Sequence, residues 1–291
     1  MSLAKNNLTD VEKQEIIAQA LQTEEGRVAL AQAMVEPIRR SLEYQAVGRK
    51  LLMIDELPQG ALAHYERDVA AIAHVIAKRG AVPNQIQEGE EIIVPTFEIA
   101  AHPTVRLSEI KARRFYIVDR AQIKAKEAIQ KEEDSNIFTA LTAAATANGT
   151  QIVNVVGTLS TAALNEAFYN VEQHDLVATK IVLHANQYAT IRILGKDFYD
   201  EATTREIITT GLYGHLWTAD IHVSSRMATT DVLVVASADT VGAFPIRQDI
   251  TVLPADDPVK LRLGWVIYEE VGIVVINDYA ISLIEVAATG S

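Results

Sequence analysis

The sequence predicts an α+β protein, and three stretches carry that prediction. Residues 119–148 contain neither Pro nor Gly and are rich in Ala, Glu, Lys, Gln and Ile, the composition of one long helix. Glu91 to Ile99 alternates loosely, with Ile92, Ile93, Val94, Phe97 and Ile99 apolar, and reads as extended chain. Val259, Leu261, Leu263, Trp265 and Ile267 recur at every second position, the period of a half-buried strand.

Taken in order, residues 1–60 read as an N-terminal arm with two helices. Thr9 and Glu12 fit a capping box ahead of Ile16, Ile17, Ala20 and Leu21. A second helix spaces Val28, Ala31, Val35, Ile38 and Leu42 as a narrow seam, kinked at Pro37. Residues 61–117 read as a long hairpin. Its first strand is placed at 67–79, its loop holds Gly80, Pro83, Asn84 and Gly89, and its return strand is the Glu91 segment. Pro95 removes a ladder donor, which makes that return an edge strand or a strand paired on one side only.

The helix from about Asp119 to Asn148 spans roughly 40 Å at about 1.5 Å per residue and stops at Gly149. Its first half is charged nearly all round, and Ile137, Leu141 and Ala144 form a stripe only in its second half. Such a helix suits a thin protein, lying on one sheet with much of its surface wet. Residues 150–255 read as an α/β unit. Strands are expected at Ile152–Val156, Lys180–His184, Ile221–Ser224 and Val232–Ala236, and helices at Ser160–Gln173, Asn186–Leu194 and Thr203–Thr210. After the Val259–Ile267 strand, Glu269 and Glu270 mark an interruption. Val271–Ile276 and Ile281–Val286 follow, joined by a turn at Asn277-Asp278.

At 291 residues the chain holds one large domain or two modest ones, and 49% hydrophobic content makes it globular. The absence of Cys excludes disulfides, thiolate metal sites and thiol nucleophiles. The polar N-terminus and the lack of a long apolar run predict neither a signal peptide nor a membrane span, hence a protein made in the cytoplasm that stays soluble. Net charge is −12, from 26 basic and 38 acidic residues, which argues against tight nucleic-acid binding. The charge is uneven. Lys111, Arg113, Arg114, Arg120, Lys124 and Lys126 form a basic run, whereas residues 151–255 hold six basic and eleven acidic side chains. Either each is a solvated face or the two are complementary surfaces that meet between copies.

A search for chemistry returns little. Gly195-Lys196 lacks the rest of a phosphate-binding loop, and no nucleophile elbow exists. His215, Asp220 and His222 would hold a metal only if a turn joined them. Glu132, Glu133 and Asp134 are adjacent on a helix and so diverge, which favours a solvated face over acid–base work. Trp217, beside Gly214 and Gly211, is either a stacking platform or a loop anchor. No catalytic, cofactor-binding or metal residue is assigned.

At VIAKRGAVPNQIQEGEEIIVPTFEIAAHPTVRLSEIKARRFYIVDRAQIKAKEAIQKEED the sequence resembles the hairpin and spine-helix region of tailed-bacteriophage major capsid proteins, whose Hong Kong 97 phage-type fold is shared with encapsulins. FYDEATTREIITTGLYGHLWTADIHVSS looks like part of the same family's apical domain, and GWVIYEEVGIVVINDYAISLIEV is similar to its C-terminal strands. Together these cover most of the chain after residue 60, in family order.

The resemblance implies an N-terminal arm at 1–60, an extended loop at 61–117, a peripheral domain combining 118–154 with 255–291, and an apical domain at 155–254. It implies a non-enzymatic protein whose hexamers and pentamers tile an icosahedral virion shell around double-stranded DNA, assembled in the host cytoplasm with portal and scaffold or decoration proteins. Lys78, Arg79, Lys111, Arg113, Arg114, Arg120 and Lys124 are the expected subunit-interface residues. Some members cross-link a loop Lys to a neighbour's Asn. Lys78 lies in the corresponding region, but no Asn or activating carboxylate is matched. An encapsulin-type compartment holding protein cargo is the alternative, and a small oligomeric enzyme the reading from a different class.

Overall fold

A computed structural model describes residues 47–58, 60–67, 90–108, 116–193 and 214–287. In chain order the strands and helices begin with β1 (Met53–Glu56), β2 (Ala63–Arg67), β3 (Glu90–Val94), β4 (Phe97–Ala101), β5 (Thr104–Arg106) and α1 (Tyr116–Asn148). Next come β6 (Ile152–Val156), α2 (Thr161–Glu172), β7 (Lys180–Leu183), α3 (Ala185–Ile193), β8 (His215–Leu216), β9 (Ala219–Val223) and β10 (Asp231–Val235). The chain closes with α4 (Ala238–Val241), β11 (Gly242–Pro254), β12 (Arg262–Val271), β13 (Val274–Val275) and β14 (Ile281–Ala287). The expected arm helices, all of the strand expected at 67–79 except Arg67, and the helix at Thr203–Thr210 lie outside the described residues; Arg67 ends β2.

The described residues fall into two compact units: 47–50, 97–108, 116–137 and 246–271 form the first, and the remainder the second. In the first, β12 is central. It pairs antiparallel with β11 on one side and with β4 and β5 on the other. Trp265, Ile267, Glu269 and Val271 alternate along β12 and all are buried. Two sequence expectations change here. The strand does not stop at Glu269 and Glu270 but runs through them, because Glu269 occupies a core position and meets a cation there. Nor does the strand begin at Val259. Asp257 caps a short 3-10 turn at Pro258–Lys260, accepting the Lys260 N–H at 3.2 Å, and Leu261 follows at φ +51. The apolar alternation through 259–261 is thus a turn with its aliphatic side chains outward.

Strand β11 has no counterpart in the sequence reading. Pro245, Pro254 and the Arg247–Asp249 polar run mask it, and register shifts against β12 absorb the irregularity.

Helix α1 starts three residues before its expected position and ends where Gly149 takes φ +69. Its apolar stripe is longer than the sequence suggested. Ala125, Ile129, Ile137, Leu141 and Ala145 are buried at four-residue spacing, and the missing member of the series is Glu133, itself only 1% exposed. The Glu132–Asp134 cluster is therefore not a solvated face: Glu132 is exposed, but Glu133 and Asp134 turn inward.

The second unit is built on a six-stranded mixed sheet in the order β6-β14-β10-β7-β9-β8. Val232, Leu233, Val234 and Val235 of β10 have no exposed surface, as an all-apolar central strand requires. Helix α2 buries Ala163, Leu164, Ala167, Phe168 and Val171 on that sheet, capped by Ser160, whose hydroxyl accepts the Ala163 N–H at 3.3 Å. Strands β2 and β3 pair antiparallel, and Ala63 and Val94 join Ala243 and Val274 in a small core. No helix among the described residues is long and apolar enough to cross a membrane.

Candidate functional site

Of the interface residues expected from sequence, Lys78, Arg79, Lys111, Arg113 and Arg114 lie outside the described residues. Arg120 and Lys124 lie near the start of α1, and Lys124 is exposed. Of the metal candidates, His215 and Asp220 are cross-strand neighbours, with Nδ1 2.8 Å from a carboxylate oxygen. No group of three acidic or imidazole ligands forms among the described residues. Trp217 packs edge-on against Phe168 at 4.8 Å and anchors the β8–β9 turn.

The densest electrostatic feature of the first unit is one that sequence reasoning missed. The 3-10 turn Gly48–Lys50 brings Arg49 against α1 and β12. Its Nε donates to Glu133 Oε1 at 2.6 Å and its Nη2 to Glu269 Oε2 at 3.1 Å. One turn position away, Asp134 Oδ1 accepts the Gly48 N–H at 2.8 Å. The approach demands glycine: a Cβ at position 48 would lie 2.6 Å from Ile137 Cδ1 and 2.9 Å from Asp134 Oδ1. Three elements distant in sequence are thus fastened at one buried node.

That node holds two carboxylates and one guanidinium. Glu133 Oε2 and Glu269 Oε1 are buried without a hydrogen-bond partner among the described residues. Burial first, and then the charge of Glu133, push the Glu269 carboxyl up to about 8, with Arg49 pulling the other way. Burial likewise raises Glu133 against the pull of Arg49. Burial raises Asp134 as well, opposed by the backbone N–H groups of Gly48 and Val47. Two carboxylates that share one cation hold a proton most economically between them.

Exposed apolar side chains occur on strands and turns, among them Ile93, Phe97, Leu253 and Leu261. Strand β4 ends the order of its sheet, and Phe97, Ile99, Ala128, Ile129, Glu132 and Asn136 line a hollow of about 520 Å³ between it and α1. On the β2–β3 hairpin, Ile93 faces outward beside His64, whose Nδ1 is 2.5 Å from Glu91. The charges that are buried join elements, and the apolar groups that are exposed are those another chain could cover.

No family model and no curated protein matches the sequence. Solved structures do match. One of Mycobacterium phage Adephagia aligns at TM-score 0.63 and 12% identity, covering 84% of this chain and 91% of its own. The capsid structure of cyanophage P-SCSP1u aligns at TM-score 0.63 and 12% identity, over 84% and 89%. This chain has the phage capsid fold. It is the Hong Kong 97 type expected from the resemblance. A virus-like particle from Pyrococcus furiosus shares it at TM-score 0.55 and 16% identity, with 94% of this chain and 100% of that one covered.

Proposed function

We propose that the capsid-fold chain is the major capsid protein of a tailed double-stranded DNA bacteriophage. The observation that carries this reading is the likeness to phage capsid structures over more than four-fifths of the chain. In this reading, hexamers and pentamers of the chain tile an icosahedral shell. The arm is 1–60, the extended loop 61–117, the peripheral domain 118–154 with 255–291, and the apical domain 155–254. The protein acts by assembling and catalyses nothing. It resides in the virion after assembly in the host cytoplasm, with portal and scaffold or decoration proteins as further partners.

The exposed Ile93 of β3, with Leu62 just before β2, supports a surface that another subunit covers. The basic residues Lys78, Arg79, Lys111, Arg113, Arg114, Arg120 and Lys124 meet acidic surface on neighbouring copies. With a net charge of −12, the wall neutralises few phosphates, so packed DNA slides along it. Electron microscopy of the purified protein beside size-exclusion chromatography tests the reading. Closed shells, tubes, or hexamer and pentamer rings are expected, and a small oligomer that never closes across salt and pH overturns it. Reversing Arg113 and Arg114 to Glu should block assembly while the subunit stays folded.

The full-length coverage of the Pyrococcus furiosus particle favours one second reading, a protein compartment of encapsulin type. Shells isolated from the native source decide between the two: DNA inside supports the phage reading, and a co-purifying enzyme supports the compartment.

A further inference from the structure

Strands β5 and β12 set two arginines directly opposite each other. In their antiparallel register Arg262 pairs with Arg106, Leu263 with Val105 and Gly264 with Thr104. Directly opposed residues share a face of the sheet, and like charges in that position destabilise the pairing. Val105 is buried, so its neighbour Arg106 takes the other, open face. No carboxylate among the described residues forms an ion pair with either guanidinium. Asp257, on the turn before Arg262, is engaged by Lys260. Its Oδ2 lies 3.0 Å from Lys260 Nζ and its Oδ1 accepts the Lys260 N–H.

This juxtaposition is held by the backbone. Asp257 and Arg262 exchange hydrogen bonds at 3.0 and 3.1 Å, and the Leu107 N–H reaches the Leu261 carbonyl at 3.0 Å. The two arginines, Lys260, Ser108 and the flanking Leu107 and Leu261 line a hollow of about 340 Å³. On the turn that precedes Arg262, Val259 is 91% and Leu261 66% exposed. An open site that repels itself until an anion enters, with aliphatic groups beside it, has the chemistry of a contact for a carboxylate on a protein surface. A free small anion would leave the aliphatic groups wet, and a nucleic-acid backbone would meet a chain of net negative charge.

We propose that Arg106 and Arg262 form a docking site for a carboxylate-bearing surface of a second copy of this chain, with Val259 and Leu261 covered in the same contact. The occupant follows from charge: 38 acidic residues against 26 basic ones give every copy carboxylates to offer. The proposal rests on the reading of the protein as a shell subunit, and extends it to residues outside the basic run.

The test is Arg106→Gln in the full chain, read in two ways. Relief of the cross-strand repulsion should raise the melting temperature of the unassembled subunit. Loss of the docked carboxylate should raise the protein concentration needed for assembly by about tenfold or more. A merely structural arginine would move both readouts toward lower stability. Arg262→Gln should repeat the pattern, and Val259→Ser with Leu261→Ser should raise the assembly threshold without raising the melting temperature. Wild-type assembly with an unchanged threshold in Arg106→Gln overturns the docking site and leaves the shell reading standing. Normal shells that have lost only nucleic acid assign the arginines to phosphate and also overturn it. A wild-type chain that never assembles overturns both.

Discussion

The two compact units solve the problem of a core in opposite ways. In the second, β10 fills the middle of its sheet with four aliphatic side chains in succession, and α2 covers the sheet with an apolar face. In the first, α1 and β12 each place a carboxylate where their own periodicity calls for an apolar group, and Arg49 joins them. Aliphatic burial is non-directional, so one well-filled packing can replace another at modest cost. A guanidinium held by two carboxyl groups has one geometry, and loss of the cation leaves both groups buried without it. The first unit is fastened at a point, the second over an area.

Truncation should expose that difference. Arg49→Ala is expected to destabilise the subunit by about 3–5 kcal/mol, because it leaves buried carboxylates without their cation. Leu233→Ala, which opens a cavity in the all-aliphatic strand, should cost roughly 2–5 kcal/mol. The two are separated by acid. Urea denaturation of Arg49→Ala should recover part of its loss at pH 5, where the stranded carboxylates take up protons, whereas the Leu233→Ala deficit should not depend on pH. Equal pH dependence in both variants would break the contrast.

The contrast also explains what was legible in the sequence. Area packing leaves a local signature. The strand at Ile152–Val156, the helix inside Ser160–Gln173 and the apolar Val232–Ala236 segment are all found where their patterns place them. Point fastening leaves none, since Arg49 lies 84 residues from Glu133 and 220 from Glu269. Reading charge as exposure then broke both patterns that hold the node. Ala125, Ile129, Ile137, Leu141 and Ala145 are a stripe with one charged member, and Trp265, Ile267 and Val271 are a strand face with another. A single carboxylate at the missing step of an otherwise regular series was the available hint. Arg106 and Arg262 were hidden differently: each is an ordinary surface residue until the register of β5 on β12 sets them face to face.

A smaller effect concerns the proton at the node. Glu269 is raised to about 8 in the folded subunit, above the ordinary range of a carboxyl in the unfolded chain. Between those values the folded state binds the extra proton, so stability falls as pH rises. The contribution is complete below the unfolded value, declines through about 8, and stays lost above it. Glu269→Gln keeps the shape and one hydrogen-bond acceptor for Arg49 while removing the titration. Its urea midpoint should vary less between pH 5 and pH 8.5 than that of the unaltered protein. An unchanged slope would mean that the two carboxylates do not share a proton.

The smallest expected change tests the comparison at the resolution of one residue. Glu132, Glu133 and Asp134 are consecutive and chemically alike, yet only Glu132 is exposed. It has no part in the Arg49 node and borders the open hollow beside β4. Glu132→Ala should therefore alter the stability of the subunit by no more than about 0.5 kcal/mol. Glu133→Ala removes an acceptor from the buried Arg49 and should cost several times that. If the three carboxylates acted as a common charged face, both substitutions would shift the urea midpoint by similar small amounts, and salt would screen them alike. A large loss confined to Glu133→Ala, and insensitive to salt, locates the fastening at the node, because burial shields it from screening while the neighbour one position away stands in water.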